Sequence, residues 1–354
     1  MMIATAPGKL IITGEYAVLD GAPAIVVAVD RRAVARRNAT PRGSSPFLLA
    51  VAEEIAARRG PGDPAAQAAL EISVDSSAFY DRTAGGRIAA ASVARRTITA
   101  QLAVVGPRNR TAEFDSDASK LGLGSSAAVT VAATALALDT TNRREILEIA
   151  LAAHARAQGA RGARGSGADI AASVYGGTLV FTRPAGSGPA LIEPRRWPAS
   201  VAIVPFFTGT AADTAQLVAR VAAARDAYRT AVDAALAAIT AASRAACAAL
   251  AAPADIAPVA LIGAIALAAD ATDRLAAATR LELVPACVTA ARGALAKLGG
   301  TAKTTGAGGG DVGVAVIPAT LDETMVARLL IEAGCRPLRI ALDETGVDLR
   351  PDAS

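Results

Sequence analysis

The sequence predicts an α+β protein of two domains sharing a cleft, and three observations carry that prediction. A chain of 354 residues suits two medium domains. Short β-branched runs, at residues 3–6, 24–29, 178–182, 201–207 and 312–317, alternate with longer Ala-rich stretches of helical character. Pro184, Gly186, Gly188, Pro189, Pro194 and Pro198 cluster between the two halves and mark a boundary that divides the chain into 1–190 and 191–354.

Composition narrows the function classes. The chain is 53% hydrophobic but only 3% aromatic, so Ala, Val, Leu and Ile build its core. Cys247, Cys287 and Cys335 are odd in number and widely spaced, which excludes a disulfide framework or a cysteine metal site. His154 is the sole histidine, which excludes histidine-rich zinc chemistry. The start lacks a signal peptide's basic and apolar regions, and no long uninterrupted apolar stretch reads as a membrane span. The expectation is a cytoplasmic, reduced protein with no membrane partner. The net charge of +4 is carried by scattered arginines without a basic stripe, which favours an anionic small molecule over nucleic acid. Among 36 basic residues the lysines are Lys9, Lys120, Lys297 and Lys303, and three of these flank glycine-rich motifs. Lysine is a compact point charge that arginine does not replace at a phosphate-transfer centre.

Taken in order, residues 3–6 and 10–14 read as strand on either side of Pro7-Gly8-Lys9. Lys9 is either a solvated turn lysine or a cation beside a transferring phosphoryl group. Residues 47–59 form an amphipathic helix and 70–74 a strand, and 97–105 is strand-like within the least legible region, 75–119. Lys120-Leu121-Gly122-Leu123-Gly124-Ser125-Ser126-Ala127 then precedes an apolar helix. Its bare backbone N–H groups lie at the positive helix end, which makes it a phosphate cradle. No Gly-Lys-Ser/Thr closes it, and the polar stretch before it does not suit a dinucleotide fingerprint.

Asn142 caps a helix through Gln158, and His154 on it is read as a packed residue rather than a base. Arg161 and Arg164 either pair with a substrate anion or are solvated. Gly165, Ser166, Gly167 and Ala168 deliver Asp169, which is either a capping carboxylate or one held in a cleft to orient or deprotonate a substrate hydroxyl. After Ala-rich helices, Lys303-Thr304-Thr305-Gly306-Ala307-Gly308-Gly309-Gly310-Asp311 leads into a strand. That glycine loop can press its backbone against a ligand. A helix at 321–332 and a last strand at 339–342 complete the second half.

Pro7-Gly8-Lys9 with Gly14-Glu15-Tyr16, then Gly122 to Ala128, then Lys303 to Asp311 resemble the three ordered motifs of the GHMP small-molecule kinase superfamily. Within it, Glu15-Tyr16, His154 to Gly159, Gly165 to Gly177 and Phe207 to Thr214 look most like the phosphomevalonate kinases. The resemblance implies an N-terminal ribosomal-protein-S5-like domain and a C-terminal ferredoxin-like domain. It implies ATP and Mg²⁺ as cofactors, a small-molecule acceptor, and a monomer or homodimer.

The implied reaction is ATP-dependent phosphorylation of (R)-5-phosphomevalonate. Mevalonate kinase or another GHMP small-molecule alcohol kinase is the near alternative, and diphosphomevalonate decarboxylase or a catalytically dead sensor the remoter ones. By the same resemblance Lys9 and Asp169 are catalytic. Lys120, Gly122, Leu123, Gly124, Ser125, Ser126 and Ala127 hold ATP, with Ser126 the metal-side hydroxyl. Tyr16, Gln158, Arg161, Arg164, Ser166, Gly167, Gly306, Ala307, Gly308 and Gly309 face the acceptor.

Overall fold

The computed structural model of the chain describes residues 1–37, 45–81, 119–160, 165–184, 188–253 and 256–352. The strand-like stretch expected at 97–105 and the two arginines Arg161 and Arg164 lie outside them. The first half opens with β1 (Met2–Thr13), a 3₁₀ turn at Ala17–Asp20, and β2 (Pro23–Arg37). Then come α1 (Pro46–Arg59), α2 (Pro64–Leu70), β3 (Ile72–Asp75), β4 (Tyr80–Asp81) and β5 (Ser119–Lys120). The cradle helix α3 (Ser125–Leu138), α4 (Arg143–Gly159) and α5 (Ala168–Tyr175) follow, then β6 (Thr178–Thr182) and β7 (Leu191–Arg195).

The second half holds β8 (Val201–Phe207), α6 (Thr214–Ala227), α7 (Arg229–Leu250), α8 (Ala257–Thr279) and α9 (Ala286–Ala296). It ends with β9 (Thr301–Thr304), β10 (Val312–Pro318), α10 (Glu323–Glu332), β11 (Arg336–Pro337) and β12 (Asp348–Pro351).

Among the described residues two large antiparallel sheets organise these elements, and β4 and β5 pair in a small third one. The larger has six strands in the order β12-β1-β2-β6-β7, with β3 also on β2, and the smaller has four in the order β11-β8-β10-β9. The mixture of helices with antiparallel sheets is the α+β class the sequence predicts. Small side chains set the packing: Ala127, Ala128, Val131, Ala132 and Ala135 on α3 are buried in the same core as Leu10, Ile12, Ile25 and Val27 of β1 and β2. Alanine at these positions lets the helix lie close to the sheet, so the α3 N-terminus is fixed relative to β1.

Three features differ from the sequence reading. β1 is one continuous strand, and the Pro7-Gly8 step is absorbed as a register shift against β2 rather than a turn. The first sheet runs past the 190/191 division, because β7 pairs with β6 along Leu191–Arg195 and β12 returns to pair with Met2 to Thr5. Pro194 is tolerated there because β7 is an edge strand. Residues 339–342 form no ladder strand. With Leu338 just before them they bridge the sheets, through Leu342 opposite Val29, Leu338 N–H on Pro205 O and Asp30 N–H on Ala341 O.

α7 is long and apolar enough to cross a membrane by length and composition. In this fold it buries Val232, Leu236, Ile239 and Ala246, and Ser243 on its inner face bonds Thr13 and Pro23 O of the first sheet.

Candidate active site

The three glycine motifs meet at one cleft. Lys9, Glu15, Tyr16, Gly122, Gln158, Ser166, Asp169, Gly306, Ala307, Gly308 and Asp311 line it together with the apolar Ile11, Val18, Leu19 and Val218.

The first two motifs are stitched together through Lys9. Its backbone N–H donates to Leu123 O at 2.9 Å and its Nζ to Gly122 O at 3.4 Å. Gly8 permits that approach, since a β-carbon there would sit 2.7 Å from Leu123 O. The aliphatic stem of Lys9 then runs over Gly124, 3.1 Å from where a β-carbon would stand. Lys9 is buried, and this desolvation holds its ammonium pKa below the ordinary lysine value against the opposing pull of Asp169, Asp311 and Glu15.

The cradle has the geometry of an anion site. Gly122 and Gly124 adopt φ of 65° and 79°, and Gly124 caps α3 with no side chain on the first-turn N–H groups. Leu123 and Ala127 bury their side chains, so they can offer only backbone, while Ser125 is buried at the first turn. Ser126 Oγ is 3.2 Å from Nε2 of the buried His154, whose ring stacks on Phe47. The sole histidine is therefore packed, and it touches the hydroxyl the sequence assigns to the metal. Lys120 stands exposed on β5, close enough to lower the Lys9 and Asp311 pKa values.

Asp169 sits in the first turn of α5, which Gly167 caps at φ 89°. It reaches the cleft beside Ser166, whose Oγ accepts from Ala168 N–H at 3.2 Å. Gly167 takes the capping position of α5, and Asp169 lines the cleft. Gln158 Oε1 is buried without a hydrogen-bond partner among the described residues, and a β-carbon on Gly165 would strike it.

Of the residues expected at the site, Lys120, Leu123, Gly124, Ser125, Ser126, Ala127, Gly167 and Gly309 do not line the cleft. Gly309 donates its N–H to Leu283 O at 2.7 Å and faces Leu217, and Gly167 faces Leu151. Lys303 is not free to meet a phosphate. It is fully buried, ion-paired to Glu15 Oε1 and hydrogen-bonded to Thr304 O at 2.7 Å.

Sequence reasoning passed over Glu15, Thr214 and Asp311 as site residues. All three stood inside stretches already singled out. Asp311 holds φ at 55°, accepts from Ala212 N–H at 3.1 Å, and crowds Gly122 so closely that a β-carbon there would collide with its Oδ2. Burial raises its carboxyl pKa, opposed by that hydrogen bond, Lys9 and Lys120.

Comparison with known proteins agrees with this architecture. Residues 94–177 match the family model for the GHMP kinases N terminal domain. The chain is 29% identical over 391 residues to a phosphomevalonate kinase of Streptomyces sp. (strain CL190), covering 94% of this chain and 95% of that protein. It is 31% identical over 229 residues to a mevalonate kinase of Pyrococcus abyssi (strain GE5 / Orsay), covering 62% and 61%. The fold matches Streptococcus pneumoniae phosphomevalonate kinase in complex with phosphomevalonate and AMPPNP, with a TM-score of 0.68, 15% identity, and coverage of 97% and 100%. The model matched over residues 94–177, the shared fold and these relatives together make the chain a two-domain α+β protein similar to the GHMP kinases, phosphomevalonate kinase among them.

Proposed function

We propose that this ATP-dependent kinase transfers the γ-phosphoryl group to (R)-5-phosphomevalonate, giving 5-diphosphomevalonate and ADP in the mevalonate route to isoprenoids. The observation that carries the reading is the convergence on one cleft of Lys9, Asp169, the third glycine loop and Gly122, two residues ahead of the capless α3 N-terminus. The Streptomyces relative, which spans nearly the whole chain, supports the phosphorylated acceptor.

Phosphoryl transfer needs charge neutralisation and alignment more than covalent help from the protein. An acceptor phosphate oxygen attacks the γ-phosphorus while the bond to the β–γ bridging oxygen breaks and ADP leaves. In this reading the Gly122–Ala127 backbone holds the nucleotide phosphates, and Lys9, anchored on Gly122 O, balances charge between donor and acceptor. Asp169 orients the attacking oxygen and takes its proton when the acceptor arrives protonated.

The donors fit Mg²⁺ carried by the nucleotide. Among the described residues no three acidic, histidine or cysteine side chains form a cage, and Mg²⁺ prefers one or two protein oxygens plus phosphates and water. Ser126 Oγ is the hydroxyl that would hold it, and its charge would neutralise the β- and γ-oxygens. The reading extends to a cytoplasmic monomer or homodimer that acts on small molecules without nucleic-acid or membrane partners.

The cleft's acids favour a second reading, phosphorylation of mevalonate. Glu15, Asp169 and Asp311 line the cleft, while Lys9 is the described cation there not paired to another side chain. ADP release with Mg·ATP separates the two readings when 5-phosphomevalonate, mevalonate and homoserine are offered in parallel. Preference for 5-phosphomevalonate is the expected result, and turnover of mevalonate alone would replace the first reading with the second.

A further inference from the structure

The third glycine loop is held from two sides by consecutive residues of the first motif. Glu15 reaches Lys303, the third residue of β9 and two residues ahead of Thr305, where the loop begins. Tyr16 donates its hydroxyl to Ala307 O at 2.6 Å, inside the loop. Both contacts are buried, and each spans nearly the whole chain.

The backbone that aims them is strained. Tyr16 has φ 58° and ψ −50°, and Ala17 N–H closes on Glu15 O at 2.6 Å, so Tyr16 is the centre of a γ-turn of the rare strained form. A tyrosine persists in that conformation only where its surroundings impose it. What they gain here is two neighbouring side chains turned onto one loop.

Glu15 Oε2 is also buried with no hydrogen-bond partner among the described residues, so ion pairing to Lys303 accounts for only half of its carboxylate. Removing one member of such a pair leaves the other charge buried and unpaired.

We propose that Glu15 and Tyr16 are positioning residues that lock Gly306, Ala307 and Gly308 against the cleft, and that this lock sets affinity for the phosphoryl acceptor. The acceptor clause rests on the proposed function, whereas the lock itself is a property of the ligand-free chain. Tyr16 then acts through Ala307, not by offering its hydroxyl to a ligand. Lys303 acts through Glu15, not on a phosphate.

Two readouts on the whole chain test this. The amides of Thr305, Gly309 and Asp311 are bonded to Val312 O, Leu283 O and Thr210 O. Hydrogen exchange by mass spectrometry over residues 303–312 therefore reports the loop without any ligand. Tyr16→Phe keeps the ring and removes only the donor. The double variant Glu15→Gln with Lys303→Met removes the ion pair without stranding a charge.

Each is expected to speed exchange in that segment about tenfold, with residues 24–29 of β2 unchanged. Each is expected to raise the KM for 5-phosphomevalonate about fivefold to tenfold, the scale of one buried hydrogen bond, with the ATP KM within twofold. Because both act on one loop, the triple variant is expected to fall short of the product of the two effects.

Unchanged exchange in Tyr16→Phe overturns the proposal, even if acceptor KM rises, since that pattern belongs to a direct contact. Should the double variant fail to fold, Tyr16→Phe alone decides. Should the wild type not use 5-phosphomevalonate, the proposed function fails while the exchange result still judges the lock.

Discussion

Lys9 joins three roles in one side chain. Its backbone ties β1 to Leu123, its stem covers Gly124 and its ammonium meets Gly122 O. Burial lowers its pKa, so its charge is lost at a lower pH than an ordinary lysine's as pH rises. The alkaline limb of kcat/KM should accordingly lie below the ordinary lysine range near 10.4. Lys9→Arg should not restore turnover, because a planar fork does not fit the stem's path over Gly124.

Asp169→Asn should keep nucleotide affinity while losing most turnover, measured by nucleotide titration alongside ADP release. Near-normal turnover would remove Asp169 from the chemistry. Gly122→Ala combines a φ of 65° with a collision against Asp311 Oδ2. It should weaken nucleotide binding at least tenfold in the same titration.

At the scale of elements, the sequence showed the motifs more clearly than the strands that seat them. Asn142 announced α4 and does cap it, accepting from Arg144 and Glu145 N–H. The glycines before α3 and α5 announced helix starts because positive φ is cheap only for them. Leu70, read as strand, instead closes α2, which begins at Pro64 with Asp63 as its cap.

β9 was invisible because four residues containing a lysine carry no strand signature. Lys303 is buried there only because Glu15 arrives from residues far earlier in the chain. β12 escaped notice for a similar reason, since its partner is the start of β1. Ahead of β12, Asp343 pairs with Arg32 and accepts from Thr345 N–H at 2.9 Å. Asp343→Ala should therefore cost about 2–3 kcal/mol, read as a lowered denaturation midpoint with little change in acceptor KM.

At the scale of the whole molecule, the cleft exists because elements from both ends of the chain meet there. β1 and α3 bring the lysine and the cradle, α5 brings Asp169, and the β9–β10 connection brings the third loop. Local patterns gave the first three almost completely. The way Asp311 lies on Gly122, and Tyr16 on Ala307, is set by sheet packing between distant segments, which no window of sequence contains.

In the proposed reaction this cleft moves a phosphoryl group onto a phosphate oxygen rather than a carbon-bound hydroxyl. Phosphorus-31 NMR of the wild-type reaction with Mg·ATP and 5-phosphomevalonate tests it most directly. The acceptor's phosphomonoester signal is expected to give way to two mutually coupled diphosphate signals as ADP accumulates. A second uncoupled monoester signal, or ADP formed while the acceptor signal stays intact, would contradict it.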